Sequence, residues 1–375
     1  MIEIRNLHAR AGDFQLKNIN LNIARGEYFV LLGPTGTGKT FLIECICGLR
    51  DIEIGSIFIS GREVTHLEPA ARNVGYVPQD YALFPTMTVY ENIAFGLKLR
   101  PIPDIREKVL RMAEMLKISH LLERHPHGLS GGEKQRVAVA RALVIEPDVL
   151  LMDEPLSALD PATAELLGRE LRRIQRETKT TTVHVCHNFE EMLMVADRAG
   201  VLNDGSLVQV GEAEDIFRRP KTEFVARFVR SRNIFAGDAI SQDGRCKINL
   251  VADSLYPVQR NLTIYYSANV EYFPLSKEKG RICFSIRPEE ISLSPMESKS
   301  ERNNNFLGVI KRVETKGALT EVEIDIGVII TAWTLRPSFA KMRLDIGSEV
   351  YIHFDEDSVN ILQKTSSRIR VVRSN

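Results

Sequence analysis

Hydrophobic and polar residues follow one pattern up to about residue 230 and a different pattern beyond it. In the first part, short apolar runs such as 27–32 and 148–152 alternate with longer stretches of helical periodicity, such as 104–118 and 162–178. Strands that alternate with helices are typical of an α/β domain built on a largely parallel sheet. The first part is therefore predicted to be such a domain.

In the second part, apolar and polar residues alternate along three segments, 281–286, 321–326 and 349–354. This alternation is the period of half-buried β-strands and predicts an all-β domain. The polar stretch 298–305 is predicted to be a loop between two small β units. The lines 233–237 and 305–308 are faintly alike, which leaves an internal repeat open. The change of pattern places the domain boundary between residues 232 and 233.

Composition narrows the classes of function. The chain has 375 residues, and its 49 Lys and Arg balance its 49 Asp and Glu. Without net charge there is no overall field to attract nucleic acid or an anionic membrane, so we expect no nucleic-acid partner. No apolar run approaches the about 18 to 20 residues of a membrane-spanning helix, and the first ten residues lack the layout of a secretion signal. The five cysteines are expected to be reduced thiols.

The clearest motif is a phosphate loop. Residues 33–40 fit G-x-x-x-x-G-K-[ST], follow an apolar strand and lead into a helical stretch at 41–47. Glycines let backbone N–H groups converge on phosphate oxygens, and the following helix presents the positive end of its dipole to the same anion. Lysine would reach the β- and γ-phosphates. The candidate residues are Gly33, Pro34, Thr35, Gly36, Thr37, Gly38, Lys39 and Thr40.

A pair of carboxylates extends this site. The apolar run 149–152 ends in Asp153 and Glu154, at the end of a strand where an open α/β sheet places its catalytic groups. Asp153 and Thr40 are candidate Mg²⁺ ligands, and Glu154 is a candidate for polarising the water that attacks the γ-phosphate. The alternative, two solvated acids at a strand end, is disfavoured by the upstream phosphate loop.

A second anion cradle is predicted between these motifs. Ser130 and Glu133 have capping-box spacing, so a helix should begin there and point its free N–H groups outward past Gly131 and Gly132. Glycines are poor helix formers, and two of them at a helix start favour close approach by a ligand. The alternative is a plain capped helix.

Together these segments resemble the nucleotide-binding subunit of an ABC transporter. The motifs occur in that family's order over residues 1 to about 230: the phosphate loop, Gln79, 129–133, 153–155, 156–160 and His187. The resemblance implies an ATPase that uses ATP and Mg²⁺ and works as a homodimer. Each ATP would lie between one copy's phosphate loop and the other copy's Ser130, Gly131 and Gly132, so that hydrolysis opens the pair.

The resemblance also implies roles for single residues. His187 would contact the γ-phosphate, and Gln79 would link Mg²⁺ and the attacking water to a membrane partner. Asp160 would contact the opposite copy, and it can also serve as the N-cap of a helix that begins at Pro161. His184, in the same predicted strand as His187, is expected to take part in ordinary packing.

One position departs from the family. Its members usually stack an aromatic ring on adenine, but the expected place near Ala11 carries no ring. Phe14 is the nearest candidate, with a core position as the alternative. If stacking is weak, phosphate and Mg²⁺ contacts would dominate affinity, and selectivity for adenine over guanine would be poor.

A permease would dock on the helical subdomain, predicted at about 80–140. The stretch 80–96 places aromatic and Met side chains near Gln79, and such side chains give adaptable contact area for a partner helix. The alternative is the core of the subdomain itself. The four residues are Tyr81, Phe84, Met87 and Phe95.

The second part, 233–375, resembles the small OB-like β-barrel regulatory domain of several importer ATPases, together with residues 286–290. A shorter resemblance, to the molybdate- or tungstate-binding fold, implies an oxyanion site that offers hydroxyl, guanidinium and backbone N–H donors. A polar loop between strands is the alternative. The candidates are Ser300, Arg302, Asn303, Lys316, Gly317 and Ala318.

The predicted fold is therefore an α/β P-loop ATPase domain with a helical subdomain, followed by an all-β barrel. The predicted function is ATP hydrolysis that energises a molybdate or tungstate importer, with cargo sensed by the barrel. Its partners would be permease subunits and, indirectly, a solute-binding protein, at the cytoplasmic face of the membrane. The alternatives are an importer for sulfate, phosphate, iron, a polyamine or a sugar, a soluble ATP clamp, and a binding module that only switches shape.

Overall fold

A computed structural model describes residues 1–100, 103–242, 245–250, 262–266, 280–296 and 303–363. The chain divides into two compact units, Met1–Ile216 and Phe217–Asn375. The first unit is α/β and the second is rich in antiparallel strands, so the predicted fold class is confirmed.

Two sheets build the first unit. An antiparallel sheet has the order β2-β1-β4-β5, and a six-stranded sheet has the order β10-β9-β3-β8-β7-β6, in which all neighbours except β10 and β9 are parallel. The strands are β1 (Ile2–Ala11), β2 (Phe14–Ile23), β3 (Tyr28–Leu32), β4 (Ile54–Ile59), β5 (Arg62–Glu63), β6 (Val74–Val77), β7 (Val149–Asp153), β8 (Thr181–Cys186), β9 (Arg198–Asn203) and β10 (Ser206–Glu212).

Helices follow the strands as the alternating pattern predicts. They are α1 (Lys39–Cys47), α2 (Val89–Lys98), α3 (Ile105–Met115), α4 (Gly131–Leu143), α5 (Pro161–Thr178), α6 (Phe189–Val195) and α7 (Ala213–Arg218). α2, α3 and α4 contact one another and form the helical subdomain. Strands β3, β7 and β8 are buried along most of their length, and they share one hydrophobic core with β1, β2 and α1. This core fixes the carboxyl ends of the parallel strands, where the candidate site lies.

The second unit begins with the end of α7, followed by α8 (Glu223–Phe228), and contains two five-stranded antiparallel sheets that share one core. The first has the order β13-β12-β11-β14-β20, and the second β15-β19-β16-β17-β18. The remaining elements are β11 (Asn233–Gln242), β12 (Arg245–Leu250), β13 (Thr263–Tyr266), β14 (Gly280–Ile286), β15 (Ser292–Ser294), β16 (Asn303–Lys316), β17 (Leu319–Asp325), β18 (Ile329–Leu335), α9 (Arg336–Met342), β19 (Glu349–Asp355) and β20 (Val359–Leu362).

The two sheets repeat one another. β11 to β14 correspond in order to β16 to β19, and the short strand that ends each set, β15 or β20, pairs within the other sheet. Gly237 and Gly308 occupy matching positions. A Cβ on Gly237 would come within 2.4 Å of Ile248 on β12, and a Cβ on Gly308 would come within 2.5 Å of Ile324 on the corresponding strand β17. The internal repeat that the sequence left open is therefore present in the strand order.

The predicted loop at 298–305 is wrong at its end. Residues 297–302 lie outside the described residues, and 303–305 already belong to β16. Asn304 explains the difference, because its side-chain amide donates to the Tyr265 carbonyl at 2.9 Å and accepts from the Tyr265 N–H at 2.7 Å. The side chain of this buried Asn takes the place of a strand backbone in pairing with β13. The sequence pattern is therefore that of a loop, although the residue belongs to a strand.

Candidate functional site

The phosphate loop connects β3 to α1 as predicted. Gly36 and Gly38 have φ values of 83° and 98°, a region that glycine enters without steric cost. Gly38 is the N-cap of α1, whose first turn carries no acidic side chain. The free N–H groups and the dipole of this helix therefore face the loop, where a phosphate is the natural ligand.

Lys39 closes the loop from within. Its side chain is buried, and Nζ donates to the carbonyl oxygens of Gly33 and Pro34, both at 2.8 Å. Burial lowers the pKa of Lys39, and the negative charges of Glu154 and Asp153 oppose that shift. Burial therefore outweighs the two carboxylates and disfavours the charged ammonium group, and a bound phosphate within its reach would offset that cost.

Thr40 and Asp153 meet across the sheet. The Thr40 hydroxyl donates to Asp153 Oδ1 at 3.1 Å, and Asp153 is 3% exposed at the end of β7. Burial is the main cause that raises the pKa of Asp153, with the Thr40 hydrogen bond opposing it. A hydroxyl and a carboxylate side by side are the hard oxygen ligands that Mg²⁺ prefers, and a cation there would offset the burial of the carboxylate.

Two side chains from separate loops converge on one oxygen atom of a third, Glu154. Glu154 Oε2 lies 3.5 Å from Gln79 Nε2 and 3.7 Å from His187 Nδ1. Gln79 follows β6, Glu154 follows β7 and His187 follows β8, which are neighbouring parallel strands. Glu154 has a φ of 46°, and its N–H donates to the Val185 carbonyl at 3.0 Å, which fixes the turn that aims the carboxylate. This cluster has the groups needed to orient and activate a water molecule.

The segment around Ser130 forms the predicted capping box. Ser130 is the N-cap of α4, its N–H donates to Glu133 Oε2 at 2.7 Å, and its hydroxyl accepts from the Glu133 N–H at 3.4 Å. The Ser130 N–H and the Ser130 hydroxyl both donate to the Glu133 carboxylate, and these two bonds lower its pKa. A Cβ on Gly131 would meet Leu159 at 3.1 Å, and one on Gly132 would meet Thr163 at 3.2 Å. The described contacts of this segment therefore run to the start of α5 and not to its own chain's phosphate loop.

Asp160 occupies the N-cap of α5, as predicted. Its Oδ1 accepts from the Thr163 N–H at 3.1 Å, and Pro161 takes the first helical position. The hydrogen bonds from Thr163 lower the pKa of Asp160, which is solvent-exposed. The carboxylate is thus fixed and charged, beside the Gly131–Gly132 surface.

Sequence reasoning missed Arg141 on α4. Its guanidinium donates to the carbonyl oxygens of Tyr81 at 2.8 Å and Ala82 at 2.7 Å, and it lies over the Phe84 ring. Tyr81 and Ala82 have φ values of 65° and 43°, so the arginine holds two left-handed residues just after Gln79. A lone cation within the alanine- and valine-rich stretch 137–143 was the available signal.

Comparison with known proteins assigns the family. The ABC transporter family matches residues 16–157, and the TOBE domain family matches residues 284–362. The chain is 40% identical over 364 residues to the molybdate/tungstate import ATP-binding protein WtpC of Pyrococcus horikoshii, covering 96% of this chain and 99% of that protein. It is 38% identical over 361 residues to the sulfate/thiosulfate import ATP-binding protein CysA of Methylococcus capsulatus, covering 94% and 97%.

The chain belongs to the ABC transporter family of import ATP-binding proteins. Among solved structures, the dimeric ATP-binding cassette MJ0796 in a post-hydrolysis state, bound to ADP and Pi, has a TM-score of 0.52 and 29% identity; the match covers 57% of this chain and 99% of that one. This ABC subunit binds ATP, hydrolyses it to energise an importer, forms dimers and works with permease partners. In the described part of the chain, no helix has the length and apolar character to cross a membrane.

Phe14 lies against the phosphate loop of this ABC subunit. A Cβ on Gly38 would come within 2.5 Å of Phe14 Cζ, and the Phe14 ring meets Phe41 edge-on with 6.3 Å between centroids. The ring is half-buried and packs on the core of the first unit. This packing favours the core alternative over the adenine platform.

The aromatic residues after Gln79 pack partly among themselves. The Phe84 and Phe95 rings are 4.5 Å apart, and all four residues of the predicted docking stretch are half-buried. Asn92, fully buried, holds both the N–H and the carbonyl of Phe84. These residues therefore form part of the core of the subdomain, and the docking of a permease on their exposed parts stays a prediction.

The predicted oxyanion residues are only partly described. Ser300 and Arg302 lie outside the described residues, and Asn303 is described only as the first backbone position of β16. Lys316 lies 3.2 Å from Glu321 Oε1 and 3.6 Å from Glu314 Oε2, so its ammonium group already has carboxylate partners. Gly317 and Ala318 form the exposed tip of the β16–β17 hairpin. The described residues add no support for an oxyanion site, which stays a prediction.

Proposed function

We propose that this ABC subunit powers the import of molybdate or tungstate, with Mg²⁺ as its metal. The observation that carries its chemistry is the convergence of Gln79 and His187 on the Glu154 carboxylate, one residue after the Asp153–Thr40 pair. The metal would be held by Thr40, Asp153 and the Gln79 amide oxygen, all oxygen donors. When bound, Mg²⁺ neutralises charge on the β- and γ-phosphates.

The residues of the chain divide the reaction between them. The backbone of 33–38 and the first turn of α1 bind the phosphates, and Lys39 exchanges its two loop carbonyls for phosphate oxygens. Glu154 accepts a hydrogen bond from the attacking water and aligns it with the γ-phosphorus atom. His187 donates to a γ-phosphate oxygen and completes the enclosure.

The second half of each site comes from another copy. Gly131 faces Leu159 and Tyr81, and Gly132 faces Thr163, so the helix start that they share with Ser130 is free to serve a nucleotide bound to another copy. Their helix start offers N–H groups and a positive dipole end to the γ-phosphate of a partner's ATP. Asp160, beside them, contacts the partner's phosphate loop. Two copies thus enclose two ATP molecules, and hydrolysis allows the two copies to separate.

The cargo assignment rests on the molybdate/tungstate protein, at 40% identity over 96% of this chain, and on the sulfate/thiosulfate protein, at 38% over 94%. All these cargoes are oxyanions of sulfur, molybdenum or tungsten, so sulfate is the second candidate. The subunit sits peripherally on the cytoplasmic face of the membrane, bound to a permease that a solute-binding protein supplies. Residues 1–232 act as the ATPase domain and 233–375 as the regulatory domain, where Ser300, Arg302, Asn303 and Lys316–Ala318 sense the oxyanion.

Uptake measurements separate the two cargoes. In cells that lack the gene for this chain, uptake of labelled molybdate and tungstate should be lost, while sulfate uptake continues. The wild-type gene should restore uptake, and the Glu154→Gln gene should not. Loss of sulfate uptake alone would establish the second candidate, and unchanged uptake of all three anions would refute both. Calorimetry of the full chain with molybdate, before and after Arg302→Ala, tests the sensing site.

A further inference from the structure

A buried chain of polar groups lies directly behind His187 and has no part in the chemistry above. Tyr28 and His184 are fully buried, on β3 and β8. The Tyr28 hydroxyl is 2.9 Å from His184 Nδ1, and His184 Nε2 is 2.7 Å from Glu191 Oε1 on α6. The Glu191 side chain is 12% exposed. Sequence reasoning expected His184 to take part in ordinary packing, but the structure gives its Nδ1 a hydrogen-bond partner and brings its Nε2 close to a carboxylate oxygen.

The order of these contacts fixes the form of the imidazole. Burial is the main cause that raises the pKa of Tyr28, and Glu191 adds to the shift, so the phenol keeps its proton. With the hydroxyl as the donor to Nδ1, the neutral His184 ring carries its proton on Nε2, which faces Glu191. The Nε2–Oε1 separation is that of a close polar contact, although the angle departs from that of a regular hydrogen bond. Glu191 is thus the polar group nearest to Nε2, and a small rotation of either side chain would make it the acceptor.

This contact closes the loop that carries His187. β8 ends at Cys186 and α6 begins at Phe189, so residues 187 and 188 alone connect the two elements. Asn188 caps α6 by accepting from the Glu190 N–H at 2.8 Å, and its carbonyl accepts from Cys186 Sγ at 3.3 Å. The His184–Glu191 contact spans this loop and connects the first turn of α6 to the last residues of β8.

We propose that His184 and Glu191 are positioning residues for His187, holding its imidazole against the Glu154 carboxylate and the γ-phosphate. The inference rests on the role of His187 in the proposed function. His187 is itself half-exposed and lies 3.7 Å from Glu154, so little else in the described structure confines its side chain. A buried polar contact is well suited to this task, because it can be satisfied in only one arrangement.

Substitutions at two adjacent glutamates test the proposal in the full-length protein. Glu191→Ala removes the acceptor, Glu191→Gln keeps an acceptor oxygen of the same shape, and Glu190→Ala is the matched control on the exposed face of the same helix turn. Loosening the loop should lower kcat for Glu191→Ala at least about tenfold, since displacing a group that orients the reaction is costly. The KM for ATP should stay within about twofold, because the phosphate loop binds the nucleotide independently.

Glu191→Gln should keep kcat within about threefold of wild type, since the contact to Nε2–H survives. Glu190→Ala should change neither constant. If Glu191 only stabilised the fold, Glu191→Ala would lower the melting temperature and raise the KM as well as lowering kcat. Thermal unfolding is therefore measured for every variant. The His187 ring resonances, identified by their absence in His187→Gln, should shift in Glu191→Ala and stay in place in Glu190→Ala.

The proposal is overturned if Glu191→Ala keeps wild-type kcat, if Glu191→Gln fails to rescue it, or if the His187 resonances do not move. Failure of the underlying function gives a different result, because His187→Gln would then turn over ATP like wild type. If His187→Gln is inactive and Glu191→Ala is fully active, only the positioning role is wrong.

Discussion

Replacing Phe14 by Ala decides whether ATP is held by its base or by its phosphates. The ring lies on Gly38 and meets Phe41 edge-on, so it supports the phosphate loop from below. If support is its role, the substitution should cost stability and leave nucleotide selectivity unchanged. If the ring is the adenine platform, the substitution should weaken ATP binding and leave stability nearly unchanged.

The structure sets the size of both effects. Deleting a fully buried Phe side chain costs about 3–5 kcal/mol, so a half-buried ring should cost about 2 kcal/mol. In a unit of this size that lowers the melting temperature by about 4–8 °C. Base stacking is worth about 1–3 kcal/mol, so loss of a platform would raise the KM for ATP by about 5- to 150-fold. The two readings therefore differ well beyond experimental error.

Phe14→Leu is the matched control. Leu keeps most of the apolar volume and removes the aromatic face, so stability should return to within about 1 kcal/mol of wild type. ATP and GTP should then have similar KM values in the wild type and in both variants. The measurements are steady-state ATPase and GTPase rates with thermal unfolding. A large rise in the KM for ATP that Phe14→Leu fails to rescue, with GTP unaffected, would refute the supporting role.

Three further predictions concern the ATP site. Glu154→Gln should bind MgATP and elute as a dimer in size-exclusion chromatography. Its rate of phosphate release should fall at least about 100-fold, since activation of the water is lost. Turnover at the wild-type rate would contradict the role of Glu154. Lys39→Ala and Ser130→Arg should each be inactive alone, and an equal mixture of the two should recover about a quarter of the wild-type ATPase rate. Half of the dimers in the mixture contain both variants, and one of the two sites in each such dimer is intact. A mixture as inactive as its parts would argue against sites shared between copies. Asp153→Asn should raise the melting temperature at neutral pH in the absence of Mg²⁺ and nucleotide. Burial raises the pKa of Asp153 in the folded protein, so the wild type loses stability as the pH rises above the ordinary Asp value of 3.8, and the advantage of Asn should vanish as the pH falls to that value. A difference in melting temperature that does not depend on pH would contradict this prediction.

Local sequence determined the phosphate loop and the two helix caps. The glycines of the loop occupy positive φ, and the bonds of Ser130 and Asp160 stay within three residues of each cap, so no distant contact is needed to produce them. The strands β3 and β7 also follow from local apolar runs. Features of this kind can be predicted because the sequence pattern and the structure span the same few residues.

The catalytic cluster required the order of the strands. Gln79, Glu154 and His187 each follow a strand, which a pattern of alternation predicts, but their distances depend on β6, β7 and β8 being neighbours. That order comes from pairing between segments that are 75 residues apart for β6 and β7 (Val74 with Val149) and 32 apart for β7 and β8 (Val149 with Thr181), and no local period encodes it. The resemblance to a family supplied the roles of Gln79 and His187, while the polar groups beside His184 emerged only from the placement of β3 and α6 against β8.

The loop after Gln79 shows how a distant residue can replace local turn chemistry. Left-handed φ at a residue other than glycine costs about 1–2 kcal/mol, and Tyr81 and Ala82 adopt it in succession. The sequence offers no glycine or asparagine there, so a local rule would predict another conformation. Arg141 supplies the compensation, with two hydrogen bonds from a planar guanidinium that a lysine could not reproduce. Because Arg141 belongs to α4, whose N-cap is Ser130, one helix holds both the segment proposed to contact the partner's ATP and the loop predicted to dock a permease.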